Sequence, residues 1–196
     1  MTPATERPHS PSPSPPAPGS ARAHERLRGC MHEHYDAIWR ALRRFGVPAA
    51  HVEDAAQQVF IVLANHLDQV KEGSERAYLY GCAVRVASGV RKHLSRSREV
   101  ASALEADDHP GPDFDAEAIL DARRARMALD DVLAAMPMDL RTVFVLYELE
   151  ELTMAEIAAS LDIPPGTVAS RLRRARELFA SCVSALKERR GARSQP

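Results

Sequence analysis

Four arginines fall within six residues near the C-terminal end of the chain, at positions 171, 173, 174 and 176. A guanidinium can bind a phosphate bidentately and can donate two hydrogen bonds to the edge of a guanine. A helix face that only needs to be soluble would mix lysine with glutamate, whereas Glu177 is the one acid beside this run. Residues of this type at this spacing predict contacts to duplex DNA.

The element that must position these arginines is a pair of short helices joined by a tight turn. Thr153 can cap the first helix, with Glu156 as its capping-box partner, and Pro164 ends that helix. Pro165 is tolerated in the first turn of the second helix. The pattern is typical of a helix-turn-helix, and the alternative is a helical hairpin with a solvated basic face. The predicted DNA-binding residues are Thr167, Ala169, Ser170, Arg171, Arg173, Arg174 and Arg176.

Two earlier helices carry side chains that suit other partners. The first leaves Ile61 exposed beside acids and amides, which suits a protein partner, with a solvated face as the alternative. The second is basic and begins with two tyrosines, and aromatic rings beside a basic groove can hold the unstacked bases of single-stranded DNA. Core tyrosines at a basic helix end are the alternative there. The residues concerned are Glu53, Asp54, Gln57, Gln58 and Ile61 on the first helix, and Tyr78, Tyr80, Arg85, Arg91 and Lys92 on the second.

Apolar residues recur at helical spacing in several blocks, which predicts an all-α fold. The predicted buried stripes are Tyr35, Ile38, Trp39, Leu42 and Phe45; Ala56, Val59, Phe60, Leu63 and Leu67; Leu79, Cys82, Ala83 and Val86; Leu129, Val132, Leu133 and Met136; Leu140, Val143, Phe144 and Tyr147; Ile157, Ala158 and Leu161; and Val168, Leu172, Ala175 and Phe179. The helix that carries the second stripe is predicted to have an acidic first turn at Glu53 and Asp54. We therefore predict two small helical domains joined by a flexible acidic linker. The predicted ranges are a disordered Pro/Ser-rich leader at 1–22, an N-terminal domain at 23–98, the linker at 99–121, a C-terminal domain of about four helices at 122–187 and a disordered tail at 188–196.

Composition excludes several classes of protein. The chain has 196 residues and a formal net charge of −1, but its charges are segregated, with only acids from Glu99 to Asp121 and mostly bases from Arg171 to Arg193. Three cysteines do not make a disulfide framework. No apolar run is long enough for membrane insertion, and prolines and serines stand where a signal peptide needs an apolar core. We expect a cytoplasmic protein.

No catalytic motif or cofactor site is predicted, because the sequence has no phosphate-cradling glycine-rich loop and no visible catalytic triad. Three histidines and a cysteine do gather between His24 and His34. Cys30 and His34 could share a helix face, but His32 points elsewhere and no fourth ligand is evident. We therefore expect no metal and no cofactor.

The arrangement of these elements resembles the extracytoplasmic-function (ECF) sigma factors of bacterial RNA polymerase, over about residues 30 to 186. The strongest match is VLAAMPMDLRTVFVLYELEELTMAEIAASLDIPPGTVASRLRRAREL. Its matching positions are Met136, Pro137, Arg141, Glu151, Leu152, Thr153, Glu156, Ile157, Ala158, Gly166, Thr167, Val168, Ser170, Arg171, Leu172, Arg174, Ala175 and Arg176. By this resemblance, the second helix of the pair reads the minus-thirty-five element, with Arg171 and Arg176 toward phosphates.

The N-terminal half matches the family more weakly. EDAAQQVFIVL resembles the helix that binds the coiled coil of the polymerase's largest subunit, which implies roles for Asp54, Gln57 and Phe60. AYLYGCAVRVASGVRKHL resembles the segment that melts and reads the minus-ten element, with Tyr78 in place of the family's tryptophan. Val84, Arg85 and Gly89 replace the family's usual Arg, Asn and Asp, and these departures leave the identity of the minus-ten element open.

The resemblance implies a protein that binds core RNA polymerase and promoter DNA and that has an anti-sigma factor as a partner. Two other interpretations stay open from the sequence. One is a helix-turn-helix regulator that acts without polymerase, and the other is an anti-sigma or adaptor protein that binds only proteins.

Overall fold

The apolar stripes form seven α-helices in the computed structural model, which describes residues 18–98 and 116–193. The helices are α1 Pro18–Arg44, α2 Ala49–His66, α3 Glu75–Arg98, α4 Ala116–Ala135, α5 Met138–Phe144, α6 Met154–Leu161 and α7 Pro165–Arg193. A 3-10 turn at Leu67–Gln69 follows α2, and a π-helical turn at Val145–Leu149 follows α5. The all-α prediction is confirmed.

Helices α1 to α3 form the N-terminal module. Ile38 and Leu42 from α1 and Phe45, just after it, are fully buried, together with Leu63 from α2 and Leu79 from α3. These residues belong to the predicted stripes. Gly46 ends α1 with a φ of 87°, a left-handed conformation that favours glycine, and Pro48 precedes α2. The glycine and the proline therefore separate α1 from α2.

The predicted acidic first turn of α2 is wrong. The helix begins at Ala49, with Pro48 as its N-cap residue, so Glu53 and Asp54 lie in the second turn. Ala49 and Ala50 are strong helix formers and extend the helix toward its N-terminus. Because the helix dipole acts mainly on the first turn, these two acids contribute little through it. Their side chains are exposed and open to another partner.

Helices α4 to α7 form the C-terminal module, which has the four helices that the sequence predicts. Leu133, Val143, Leu146, Ile157 and Val168 form its buried centre. Phe144 also stacks on Phe179, with ring centroids 4.7 Å apart. This contact ties α5 to the middle of the long α7.

Three helices extend beyond the predicted domain boundaries. Helix α1 begins at Pro18, inside the predicted leader; α4 begins at Ala116, inside the predicted linker; and α7 continues to Arg193, inside the predicted tail. The extensions of α4 and α7 are rich in Ala, Glu and Arg, which favour helix even where no core needs them. The rest of the leader, most of the linker and residues 194–196 lie outside the described residues.

The two modules pack directly against each other, which the sequence did not predict. Helix α3 lies against α6, and Ser160 Oγ donates a hydrogen bond of 2.9 Å to the carbonyl oxygen of Ala77. Gly81 lies so close to α6 that a Cβ added there would be 2.8 Å from the Ser160 carbonyl oxygen. We call this packing of α3 against α6 the closed arrangement.

Candidate nucleic-acid interface

The helix-turn-helix has the capping box that the sequence predicts. Thr153 Oγ1 accepts a hydrogen bond of 3.2 Å from the Glu156 amide, and the Glu156 carboxylate accepts one of 2.8 Å from the Thr153 amide. The Thr153 hydroxyl also donates a hydrogen bond of 2.7 Å to the Glu156 carboxylate. This bond, and then the one from the Thr153 amide, hold the pKa of Glu156 below its ordinary value. Asp162 ends α6 in a left-handed conformation, with a φ of 53°, and α7 begins three residues later at Pro165. The predicted turn is confirmed.

One side of α7 is fixed in the core. Val168, Leu172 and Ala175 are buried, as predicted from their spacing. A helix whose inner face is packed this closely cannot rotate about its own axis without opening the core. The opposite side therefore has a defined orientation toward solvent.

That outward side carries the predicted DNA-binding residues. Ala169, Ser170, Arg173, Arg174 and Arg176 are exposed, and Thr167 and Arg171 are half-buried. The fold therefore places five of them on the solvent side of the N-terminal half of α7, with Arg171 and Arg176 at opposite edges of that side.

Ion pairs differ among the four arginines. Arg171 Nε lies 3.6 Å from Asp139, Arg173 Nη1 lies 3.2 Å from Glu177, and Arg176 Nε lies 2.6 Å from Glu148. Arg174 makes no ion pair or hydrogen bond within the part of the chain that the structure describes. It can thus meet an incoming base or phosphate without first breaking a contact.

The residues of α2 that are predicted to bind core polymerase are all exposed except one. Glu53, Asp54, Gln57 and Gln58 are exposed, and 52% of the Ile61 side chain is exposed between them. Phe60 is only 4% exposed and stacks on Tyr35, with centroids 5.9 Å apart. Phe60 therefore orients α2 from within the core, while its neighbours face outward.

The predicted single-strand residues on α3 do not form one open surface in the closed arrangement. Arg85 and Lys92 are exposed, and Tyr78 is half-buried. Arg91 Nη1 lies 2.7 Å from Sδ of Met138 in the C-terminal module. Tyr80 is only 2% exposed, with its hydroxyl on a carboxylate of the same module.

That carboxylate belongs to Glu150, which sequence reasoning missed. Glu150 is only 7% exposed and binds three side chains of the N-terminal module. Arg44 Nη1 donates to Oε1 at 2.6 Å, the Tyr80 hydroxyl donates to Oε2 at 2.5 Å, and Arg76 donates to the backbone carbonyl oxygen. We call these four residues the Glu150 cluster. Burial and the Glu150 carboxylate raise the pKa of Tyr80.

A buried arginine lies at the same boundary between the modules. Arg141 is 5% exposed and donates from Nη2 to the carbonyl oxygens of Ala134, at 2.7 Å, and Met136, at 3.3 Å. Its Nε has no hydrogen-bond partner in the described structure. Burial and the nearby Arg91 lower the pKa of Arg141. The sequence placed Arg141 in a family motif but gave no sign of its burial beside a second arginine.

The described residues support neither a metal site nor a membrane span. No group of three His, Cys, Asp or Glu side chains there could hold a metal ion, and the buried Cys30 is a free thiol. Nor does any described helix have the length and apolarity that a membrane span requires.

Similarity to known proteins covers both modules. A family model described as Sigma-70, region 4 matches residues 126–179. The ECF RNA polymerase sigma-E factor of Escherichia coli K12 is 32% identical over 154 residues, which span 71% of this chain and 78% of that protein. The ECF RNA polymerase sigma factor SigE of Mycolicibacterium smegmatis is 26% identical over 147 residues, which span 75% of this chain but only 57% of that protein.

Two solved structures share the fold. The structure of CnrH in complex with the cytosolic domain of CnrY matches with a TM-score of 0.62 and 22% identity, over 84% of this chain and 94% of that one. The sigma factor RpoE of Bartonella quintana, in complex with the anti-sigma factor NepR, matches with a TM-score of 0.62 and 17% identity, over 82% of this chain and 98% of that one.

Proposed function

Because the chain belongs to the family of ECF RNA polymerase sigma factors, we propose that it binds core RNA polymerase and contacts promoter DNA with both of its modules. It acts as a sigma factor in transcription initiation. The observation that carries the proposal is the outward arginine face of α7, presented by a capped helix-turn-helix that matches region 4 of sigma-70. A regulator that shared only this element would not match its relatives over 71% of the chain.

In this proposal α7 lies in the major groove of the minus-thirty-five element. Thr167, Ser170, Arg173 and Arg174 are nearest the bases. Arg171 and Arg176 are at the flanks, toward neighbouring phosphates, and in the free chain they pair with Asp139 and Glu148. Phosphate contacts fix the register of the protein on the duplex, and base contacts specify the sequence.

Core polymerase binds the outward face of α2. Glu53, Asp54, Gln57 and Gln58 offer carboxylates and amides around the exposed Ile61, an apolar centre with a polar rim. Phe60 supports that face from the core and does not contact the partner directly.

The minus-ten element is captured as a single strand on α3. Tyr78 and Tyr80 supply stacking surfaces, and Arg85, Arg91 and Lys92 supply positive charge along the same helix. Of the three proposed contact surfaces, on α2, α3 and α7, the surface on α3 is the one that the closed arrangement covers most.

The remaining roles follow from the family. We place the protein in the cytoplasm, where RNA polymerase acts, and assign no catalytic step to it. The two solved structures described above each contain a protein partner, and in one of them the partner is an anti-sigma factor. We propose that an anti-sigma factor binds this chain as well.

Transcription with purified components tests the proposal. The full chain is mixed with core polymerase and genomic DNA fragments of the organism that carries this gene, and transcript starts are mapped. We expect starts that depend on the chain and share an upstream element at one fixed spacing. Core polymerase without the chain provides the background. If adding the chain creates no new starts, the proposed function is wrong.

A further inference from the structure

We propose that Arg26, on α1, is a positioning residue for the proposed single-strand surface, because it fixes the start of α3 and thereby the place of Tyr78. The inference rests on the proposed function, which assigns Tyr78 to the opened minus-ten strand. The contacts that carry it lie entirely within the N-terminal module. Arg26 is not among the residues that the sequence predicts to bind DNA or polymerase.

The Arg26 guanidinium joins the ends of two helices. Nη1 donates to the carbonyl oxygen of Leu67 at 3.1 Å, and Nη2 donates to that of Val70 at 2.6 Å. Nε and Nη2 also donate to Oε1 of Glu75, at 2.8 Å and 2.6 Å. Leu67 and Val70 are the first residue and the C-cap of the 3-10 turn after α2, and Glu75 is the first residue of α3. One side chain therefore connects the end of α2 to the start of α3.

Each of these partners favours a cation. Carbonyl oxygens at the C-terminal end of a helix have no intrahelical donors and carry partial negative charge. Burial acts to raise the pKa of Glu75, but hydrogen bonds from its own backbone amide and from Arg26 hold it below its ordinary value. The Arg26 and Glu75 side chains are only 21% and 12% exposed. A planar guanidinium can bond all three partners at once, whereas a lysine ammonium is a single point of charge.

The segment that Arg26 holds is short and exposed. Residues 71–74 are all exposed, and Gly73 has a φ of 83°. The Ser74 amide donates to the carbonyl oxygen of Lys71 at 3.0 Å. A segment with few buried contacts opens locally at little cost, and the first turn of a helix frays easily because its amides lack intrahelical partners. Without Arg26, we expect this segment and the first turn of α3 to open while the rest of the module stays folded.

Tyr78 lies in that first turn, three residues after Glu75. It is half-buried, and its amide donates to the carbonyl oxygen of Ser74 at 3.1 Å. A ring that moves with a fraying turn must be ordered when the base stacks on it, and this ordering reduces affinity. The outward face of α2 is different, because Asp54 and Gln57 lie well inside α2. Loss of Arg26 should therefore affect the single strand and not core polymerase.

The matched control for Arg26→Gln is Arg22→Gln. Arg22 lies one turn earlier on α1 and pairs with Glu72 at 3.4 Å, but these side chains are 82% and 69% exposed. Exposed ion pairs contribute little to stability. The control thus removes the same charge from the same helix and keeps every Arg26 bond. Arg26→Lys is a milder variant that keeps the charge beside Glu75 but cannot bond all three partners.

Amide hydrogen exchange of the full chain tests the structural step. We expect residues 67–80 to exchange faster in Arg26→Gln than in the parent, with Arg26→Lys between the two. Arg22→Gln should exchange like the parent. Circular dichroism should show the same helicity in all four chains. This measurement does not depend on any DNA or polymerase.

Promoter opening tests the functional step. Each chain is combined with core polymerase and a promoter found by the start mapping described above, and unpaired thymines are detected with permanganate. If the ordered fraction of the first turn falls to about one tenth, Arg26→Gln should open the promoter roughly 10-fold less at limiting protein. Its affinity for core polymerase should equal that of the parent. A template whose minus-ten region is already unpaired by mismatches should recover most of the loss.

Three results would overturn the inference. One is exchange at residues 67–80 that stays at the parent rate in Arg26→Gln. Another is faster exchange with parent-like promoter opening. The third is an equal loss of polymerase binding and opening in both Arg26→Gln and Arg26→Lys, which would show that Arg26 only stabilises the module. A parent chain that opens no promoter would reject the proposed function, whereas an active parent with an equally active Arg26→Gln would reject this inference alone.

Discussion

The hydroxyl of Tyr80 on α3 donates a hydrogen bond to Oε2 of Glu150, seventy positions later in the chain. This bond joins a residue that the sequence predicts for single-stranded DNA to an acid with no predicted role. In the proposed function, Tyr80 exchanges the Glu150 carboxylate for a DNA base when the single strand binds. The proposal therefore couples the stability of the closed arrangement to the strength of single-strand binding at Tyr80.

Tyr80→Phe should lower the free energy of unfolding at neutral pH by about 1.5–3 kcal/mol, because a buried carboxylate loses a charge-assisted donor. Urea unfolding of the full chain measures the change. Tyr35→Phe is the control, since Tyr35 keeps its stacking on Phe60 and its hydroxyl has no hydrogen bond within the described residues. Equal losses in the two variants would show that the Glu150 contact contributes nothing.

The same residue gives a prediction for alkaline pH. The folded protein holds the pKa of Tyr80 above its ordinary value of 10.0, chiefly by burial and then by the Glu150 contact. The proton is bound more tightly in the folded state, so this contribution to stability is complete below pH 10 and is lost as the pH rises through the raised value. The free energy of unfolding should fall more steeply above pH 10 in the parent than in Tyr80→Phe. Parallel slopes would contradict the assignment.

Arg174→Ala should weaken binding to a duplex that carries the cognate minus-thirty-five element by roughly 5-fold to 100-fold, the range expected for one good base contact. Arg174 makes no ion pair or hydrogen bond among the described residues, so the loss would come from DNA. Arg28→Ala removes the same charge from an exposed position on α1 and controls for non-specific attraction. Promoter binding that is equally weakened in both variants would remove Arg174 from the recognition set.

Asp54→Arg should prevent co-purification with core polymerase, because it places a cation at the centre of the acidic face of α2. The exposed Asp36 on α1 provides a control of the same residue type in the same module. Asp36→Arg should bind core polymerase like the parent. Undiminished co-purification of Asp54→Arg would show that another surface binds the enzyme.

Thr153→Ala should lower the free energy of unfolding by about 1 kcal/mol, because the capping box loses the hydroxyl that accepts from the Glu156 amide and donates to the Glu156 carboxylate. The pKa of Glu156 is depressed chiefly by the bond from the hydroxyl, so the part of the cost that comes from this bond is present above the ordinary value of 4.5 and is lost as the pH falls through the folded value. Ser184→Ala removes a hydroxyl from the exposed side of α7 and should be nearly neutral. A cost that is the same at pH 7 and in acid would show that the bond from the hydroxyl to the carboxylate contributes nothing.

The sequence predicted what depends on local rules. Helical periodicity identified the buried side of each helix, and the side-chain chemistry of Thr153 and Glu156 identified the start of α6. Both are properties of neighbouring residues. The start of α2 was misplaced because two alanines before Val52 look the same in a helix or in a loop until Pro48 is recognised as the cap.

The packing between the modules could not be predicted in this way. Glu150 stands among other acids in YELEEL, and no periodicity marks it as the one that becomes buried. Likewise, no neighbouring residue in α3 explains why position 81 is a glycine. The explanation is the backbone of Ser160 in the other module, which leaves no room for a Cβ. Contacts of this kind depend on how two surfaces pack together, and local patterns in a single sequence do not reveal that packing.

The π-helical turn at Val145–Leu149 has one such long-range consequence. The Glu150 amide donates to the carbonyl oxygen of Val145, five residues back, so the turn contains one residue more than an α-helical turn. An extra residue rotates everything after it by about 100° around the helix axis. The direction in which Glu150 points thus depends on the number of residues in the π-helical turn and not only on the type of residue at position 150. Among relatives of this protein, a one-residue deletion there would turn the acid away from Arg44 and Tyr80 even where all three side chains are kept.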